Sequence, residues 1–157
     1  FIVIMRSLRR QNKYIDYSFL KSYKNLVFLG LRNEYEHLRN LIPNLEYHDS
    51  KDFLELSSII KNSKMFIGNL SFGYALAEAL KVPRLLESGP NFPLVYPNGN
   101  HGYDFYLQSH FKDLVNKLLN NYRIFNLGNG KMNLVPFFLI NLSLSSSSFL
   151  KFQNKTR

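Results

Sequence analysis

Short apolar runs alternate with helix-period segments along the first 123 residues, and this alternation restricts the fold more than any other feature of the chain. "FIVIM" (1–5), "NLVFLG" (25–30), "LEYH" (45–48), "KMFIG" (64–68) and "VPRLLE" (82–87) are rich in β-branched or aromatic residues and read as strands. Between them, Tyr35, Leu38 and Ile42 recur at the spacing of one helix face until Pro43 ends the pattern. Phe53, Leu56 and Ile60 recur at i, i+3 and i+7, after Asp49 or Ser50, either of which can cap a helix start. Ser71 can cap a third helix through an alanine-rich stretch, whose Ala75 and Ala79 permit close packing on a sheet. Phe111, Leu114, Val115 and Leu118 give a fourth its apolar stripe within 110–122.

Strand and helix in alternation with short links imply βαβ units and a parallel sheet. The strands are apolar throughout rather than alternating, as expected where helices cover both faces. The expected fold is therefore α/β: a Rossmann-like doubly wound parallel sheet over residues 1–123, with ligands bound beyond the carboxyl ends of the strands. A chain of 157 residues suits one such domain. It begins at Phe1, inside a strand, which suggests a fragment whose upstream part is missing.

The remaining composition narrows the function. There are no cysteines, which excludes disulfides and thiolate metal sites. His37, His48, His101 and His110 lack metal-ligand spacing, so no metal is expected. The apolar run from Leu134 to Leu144 is broken by Pro136 and Asn141 and is too short to span a bilayer. With no signal peptide evident, the expected compartment is the cytoplasm. Net charge is +9, of which the last 34 residues supply four Lys/Arg and no acid. Such a balance draws a chain toward nucleic acid, anionic membrane or phosphorylated ligands. The tail 124–157, with its "SLSSSSF", shows no period; it reads as a disordered end, an appended element or out-of-frame sequence.

One stretch carries most of the chemistry. "GNLSFGYALAEALKVPRLLE" (68–87) places Gly68 and Asn69 at a strand's carboxyl end, Ser71 at a helix cap, then Phe72 and Gly73 in the first turn. A helix start with unpaired N–H donors and a glycine beside them suits an anion. Glu78 lies seven residues beyond Ser71, roughly 10 Å along the helix axis. A carboxylate there can accept both hydroxyls of a ribose whose diphosphate sits at the helix start. The same residues also compose an ordinary capped helix with a solvated glutamate.

"LSFGYALAEAL" (70–80) resembles the "EGFGxxxLEAM" segment of GT-B glycosyltransferases, and Glu78 falls on that pattern's ribose-binding glutamate. The longer run "KMFIGNLSFGYALAEALKVPRLLE" is similar to the corresponding segment of bacterial heptosyltransferase-like enzymes, "xxxGNDSGxxHxAAALxxP". Leu70 stands where those sequences carry an acid, and Ala75 where they carry a histidine. The resemblance, over about residues 1–120, implies the C-terminal, donor-binding half of a GT-B enzyme. It implies that Arg6 and Arg10, in "RSLRRQN", bind the donor diphosphate together with Asn69, Ser71, Phe72 and Gly73. Arg6, nearest the strand end, is the best placed of the arginines, which include Arg9; their planar forks suit phosphate. Glu78, Glu87 and Asn91 would hold the ribose or sugar, and Asn98 lies in the same proline-rich loop.

The reaction so implied is metal-independent transfer from a nucleotide-diphosphate sugar to a glycan or lipid-linked acceptor, in cell-surface polysaccharide or lipopolysaccharide assembly. The general base would belong to the missing N-terminal domain, so no catalytic residue is assigned. The enzyme would work in the cytoplasm or at the inner face of the bacterial inner membrane. Two alternatives stand beside it: a non-catalytic or epimerase-type nucleotide-sugar-binding domain, and a basic nucleic-acid-binding domain. The 10 Tyr and 14 Phe are spread through the core pattern rather than forming an RNA-binding signature, so nucleic acid is not the expected partner.

Overall fold

A computed structural model describes residues 1–90 and 95–128. Asn91 and the tail beyond residue 128 lie outside the described residues. Six strands, β1 (Ile2–Met5), β2 (Leu26–Phe28), β3 (Leu45–Tyr47), β4 (Met65–Asn69), β5 (Arg84–Glu87) and β6 (Gly102–Phe105), form one sheet in the order β3-β2-β1-β4-β5-β6. Every pairing is parallel, so the expected Rossmann-like doubly wound sheet is the fold observed. Four α-helices join it: α1 (Arg32–Arg39), α2 (Phe53–Lys61), α3 (Phe72–Ala79) and α4 (Gln108–Gly128).

Side chains alternate across the strands and build two cores. Ile2, Ile4, Phe28, Ile67, Leu85 and Phe105 face α1 and α4, meeting Tyr35 and Leu38 from the first and Phe111 and Val115 from the second. Val3, Val27, Phe66 and Leu86 point to the opposite face, against Leu56 and Ile60 of α2 and Tyr74 and Ala77 of α3. Phe111 fixes α4: its ring stacks on Phe105 with centroids 4.0 Å apart and lies 4.9 Å from both Tyr17 and Phe19. Full burial of such a ring stabilises the fold by about 1.5–3 kcal/mol.

Several sequence expectations are corrected at their edges. The cap of α2 is Asp52, whose side chain accepts the Glu55 N–H at 2.8 Å, rather than Asp49 or Ser50. Ala75 and Ala79 are exposed, and α3 meets the sheet through Gly73, Tyr74 and Ala77 instead. The proline-rich loop after β5 leads into β6, an edge strand that the sequence pattern does not signal; "GYDF" has too few apolar residues to announce itself. The crossover from β1 to β2 runs through two 3-10 turns, Leu8–Arg10 and Ser18–Ser22, without an α-helix.

The two glycines around the β4–α3 connection serve packing. A Cβ on Gly68 would lie 2.2 Å from the Met5 carbonyl oxygen, which is main chain and cannot turn away. A Cβ on Gly73 would lie 2.1 Å from Met5 Sδ, which sits on a flexible side chain. Overpacking costs about 1–3 kcal/mol. Gly68→Ala should fall at the upper end of that range and Gly73→Ala at the lower, read from urea-denaturation midpoints. Equal losses would show that Met5 cannot move.

Candidate functional site

The strand order reverses direction between β1 and β4, so the crevice beyond their carboxyl ends is where an open α/β sheet binds ligands. Met5 leads out through Arg6 and Ser7, and Asn69 leads out through Leu70 and Ser71. Asn69 is fully buried and clips the two exits together: its Nδ2 donates to the Ser7 carbonyl at 2.7 Å, and its Oδ1 accepts the Ser7 N–H at 2.9 Å. Expected to touch a diphosphate, Asn69 instead fixes the main chain that borders the crevice.

Ser71 caps α3, accepting the Tyr74 N–H at 3.4 Å through its hydroxyl and the Ala75 N–H at 3.1 Å through its carbonyl. The N–H groups of Phe72 and Gly73 are the first two of the helix and have no acceptor among the described residues. They are donors aimed out of the helix at the positive end of its dipole. Gly73 earns its place by the Met5 contact rather than by opening room for a ligand.

Arg6 and Glu87, expected to act on different parts of a ligand, are bound to each other. The Arg6 Nε donates to Glu87 Oε2 at 2.7 Å and Nη2 to Oε1 at 2.9 Å, with both side chains almost completely buried. The same Nη2 reaches the carbonyls of Ile15 at 3.2 Å and Asn12 at 3.3 Å. The guanidinium carbon lies 4.3 Å from the centroid of the Tyr17 ring. Burial opposes the Arg6 charge, but the hydrogen bond to Glu87 and the charges of Tyr17, Glu87 and Asp16 together outweigh it, so its pKa is raised. Asn12 completes the knot, donating its N–H to Glu87 and its Nδ2 to the Ser88 carbonyl at 2.9 Å. A guanidinium so engaged has lost the freedom that phosphate binding needs. Sequence reasoning missed Asn12, and no local signal marks it. Arg9 is exposed and Arg10 half-buried, in the turn that follows, and neither makes an ion pair among the described residues. A shallow hollow opens beside the knot, lined by Leu70, Ser88, Gly89 and Tyr106 among others.

Glu78 also has partners of its own. It lies in the last turn of α3, toward the loops that lead into β5 and β6, at the sheet's amino edge. Its Oε1 accepts from Lys81 Nζ and from the Asn98 N–H at 3.3 Å; its Oε2 accepts from Arg84 Nε and from the Tyr74 hydroxyl at 3.4 Å. Those four donors fill the lone pairs of one carboxylate, leaving none for a ribose diol. Asn98 is drawn to the same edge, its carbonyl accepting from both Arg84 and Lys81. Neither residue borders the β1–β4 crevice. Among the described residues there is no cluster of three His, Cys, Asp or Glu side chains suited to a metal, and no helix is long and apolar enough to cross a membrane.

Two predictions follow from these pairs. Glu87→Gln should cost about 3 kcal/mol or more, because it leaves a buried guanidinium without its counter-charge; urea denaturation measures it, and a loss below 1 kcal/mol would contradict the pairing. Glu78 titrates near 4.5 when unpaired and about 2 in the folded chain; partial burial opposes this, and the Arg84, Lys81 and Asn98 donors prevail. The folded state then binds fewer protons, so the stabilisation is complete above that unpaired value and disappears as pH falls toward the folded one. The stability gap between the wild type and Glu78→Gln should therefore narrow between about pH 5 and about pH 2. A constant gap would show that the carboxylate is not held as its partners imply.

No protein-family profile matches the sequence, and no curated protein matches it. Among solved structures, the chain is similar to E. coli heptosyltransferase WaaC, determined with ADP-2-deoxy-2-fluoro heptose, with a TM-score of 0.56 and 15% sequence identity. The match covers 74% of this chain and 42% of WaaC, so the chain spans less than half the length of that enzyme. The likeness is one of fold: a Rossmann-like sheet of the kind found in GT-B glycosyltransferases.

Proposed function

We propose that this chain is the C-terminal, donor-binding half of a GT-B glycosyltransferase, and that it binds a nucleotide-diphosphate sugar at the β1–β4 crevice. One observation carries the reading: the N–H groups of Phe72 and Gly73, without an acceptor among the described residues, lie at the topological switch point, in a sheet whose solved neighbour was determined with an ADP-sugar. Ser71 and the arginines Arg9 and Arg10 complete the proposed cradle. Arg6 is left out because Glu87 holds it, and Glu78 because its four donors do. The acceptor would be a glycan or lipid-linked saccharide met by a second domain, which would also supply the general base. The donor half stabilises the leaving diphosphate through fixed N–H dipoles and arginine charge; such preorganised stabilisation is the largest part of many transfer reactions.

Isothermal titration of the chain with ADP, GDP, UDP, CDP and their sugars tests this directly. One nucleoside should bind in preference to the others, and Arg10→Ala should weaken it about tenfold or more, the worth of a charge-assisted hydrogen bond. Glu78→Gln should leave the affinity of the folded chain unchanged. Binding that ignores the nucleoside and falls steeply with salt would overturn the reading in favour of a general polyanion surface.

A further inference from the structure

Exposed apolar side chains gather at one edge of this sheet. Leu8 follows β1, Leu31 follows β2, Phe53 and Leu54 follow β3, Phe72 follows β4 and Leu107 follows β6, all at carboxyl ends. Within that rim two phenyl rings touch. Phe53 and Phe72 are the first residues of α2 and α3, 71% and 53% exposed, with centroids 4.9 Å apart and planes inclined at 57°. Their tilt makes an open corner, with one ring free to stack on a flat partner while the other meets that partner's edge. Two adjoining phenyls at a strand-exit edge form an apolar patch left in water.

We infer that Phe53 and Phe72 form the nucleobase platform of the donor site, taking the aromatic base of a nucleoside diphosphate whose phosphates lie at the start of α3. The inference rests on the proposed function above and adds the part of the ligand that the anion cradle leaves unassigned. Phe72 bears one of the N–H groups without an acceptor among the described residues, so its ring adjoins the phosphate position and the ribose bridges the two. Phe53 extends the platform away from the cradle, toward α2. Stacking on phenyl rings tolerates any base, so the platform favours a purine over a pyrimidine by contact area alone.

The chain contains no tryptophan, so Phe53→Trp installs a single fluorescent reporter at the platform. ADP should quench that emission and inorganic pyrophosphate should not. By calorimetry Phe53→Ala and Phe72→Ala should each weaken ADP about tenfold while leaving pyrophosphate affinity unchanged. Phe53 is largely exposed, so its alanine variant folds, and Phe72→Leu separates loss of stacking from loss of bulk. If ADP binds but Phe53→Ala leaves it unaffected and Phe53→Trp is not quenched, the platform is refuted and the phosphate site survives. If neither ADP nor pyrophosphate binds the wild type, the proposed function itself fails and the inference goes with it. Self-association of the wild type that Phe53→Ala abolishes would also overturn it, assigning the rings to contact with a second copy.

Discussion

The buried pair between Arg6 and Glu87 sets the form of the whole carboxyl edge. Arg6 leaves β1 and Glu87 ends β5, with β4 between them, so the pair spans three neighbouring strands at their exits. The chain must therefore bring its first strand and its fifth to a common level before either charge can be desolvated. Once made, the pair draws in the Asn12 N–H and the Ile15 carbonyl and thereby shapes the crossover that follows β1. That crossover has no α-helix to stiffen it, and the knot supplies the rigidity that a helix would have given. Asn69 does the same for Ser7 from the β4 side. The crevice is bordered by main chain that three buried polar side chains, Arg6, Glu87 and Asn69, hold in place.

A second pair stands at the opposite end of the same strand. β5 is only four residues long, yet it begins with Arg84 and ends with Glu87, both buried. Arg84 is held by Glu78 and by the Asn98 carbonyl, Glu87 by Arg6. Each charge lies at a strand end, where loops can bring it a partner without crossing the apolar sheet. The leucines between them, Leu85 and Leu86, face opposite cores. This strand is therefore tied at both edges by groups from other elements, while its middle is ordinary packing. Buried ion pairs contribute little net stability beyond an apolar equivalent, but they penalise strongly any register that leaves a charge unpaired. Their effect here is to specify the arrangement of β1, β5 and α3 rather than to strengthen it.

The parallel sheet was legible because its cause is local and repeated. Runs such as Ile2–Met5 and Met65–Asn69 are apolar enough to need cover on both faces, and Ser71 announces its helix by type and position. β6 was not legible, because an edge strand bonded to one neighbour needs little apolar content. The site was readable only in outline. The location of the Phe72 and Gly73 donors follows from a cap after a strand, which a sequence displays. The fate of Arg6, Glu78 and Glu87 depends on partners 81, 6 and 81 residues away that only the folded topology brings near. A charged residue at a strand end looks the same in sequence whether it waits for a ligand or is already neutralised. The spacing that aligns Glu78 with a ribose-binding position says nothing about Arg84 arriving first.

That neutralisation has an electrostatic consequence for the crevice. Glu87 ends β5, beside the exit of β4, and Arg6 neutralises it in place. Asp16, further along the crossover, is engaged by the N–H and hydroxyl of Ser18. Arg9, Arg10 and Lys13 then remain as cations without an ion-pair partner among the described residues, on the stretch of chain that Asn69 and Asn12 hold at the crevice rim. Fixed helix N–H dipoles act within a turn, whereas exposed cations act over about a Debye length, roughly 8–10 Å at ordinary ionic strength. In the site proposed above the two ranges would complement each other: the cations would draw a dianion toward the edge, and the first turn of α3 would fix its position there. An unpaired Glu87 would have reduced that field at its centre. The ion pair that occupies Arg6 also leaves this edge positive, so the proposed site would forgo one phosphate contact and keep the charge balance that any phosphate contact requires.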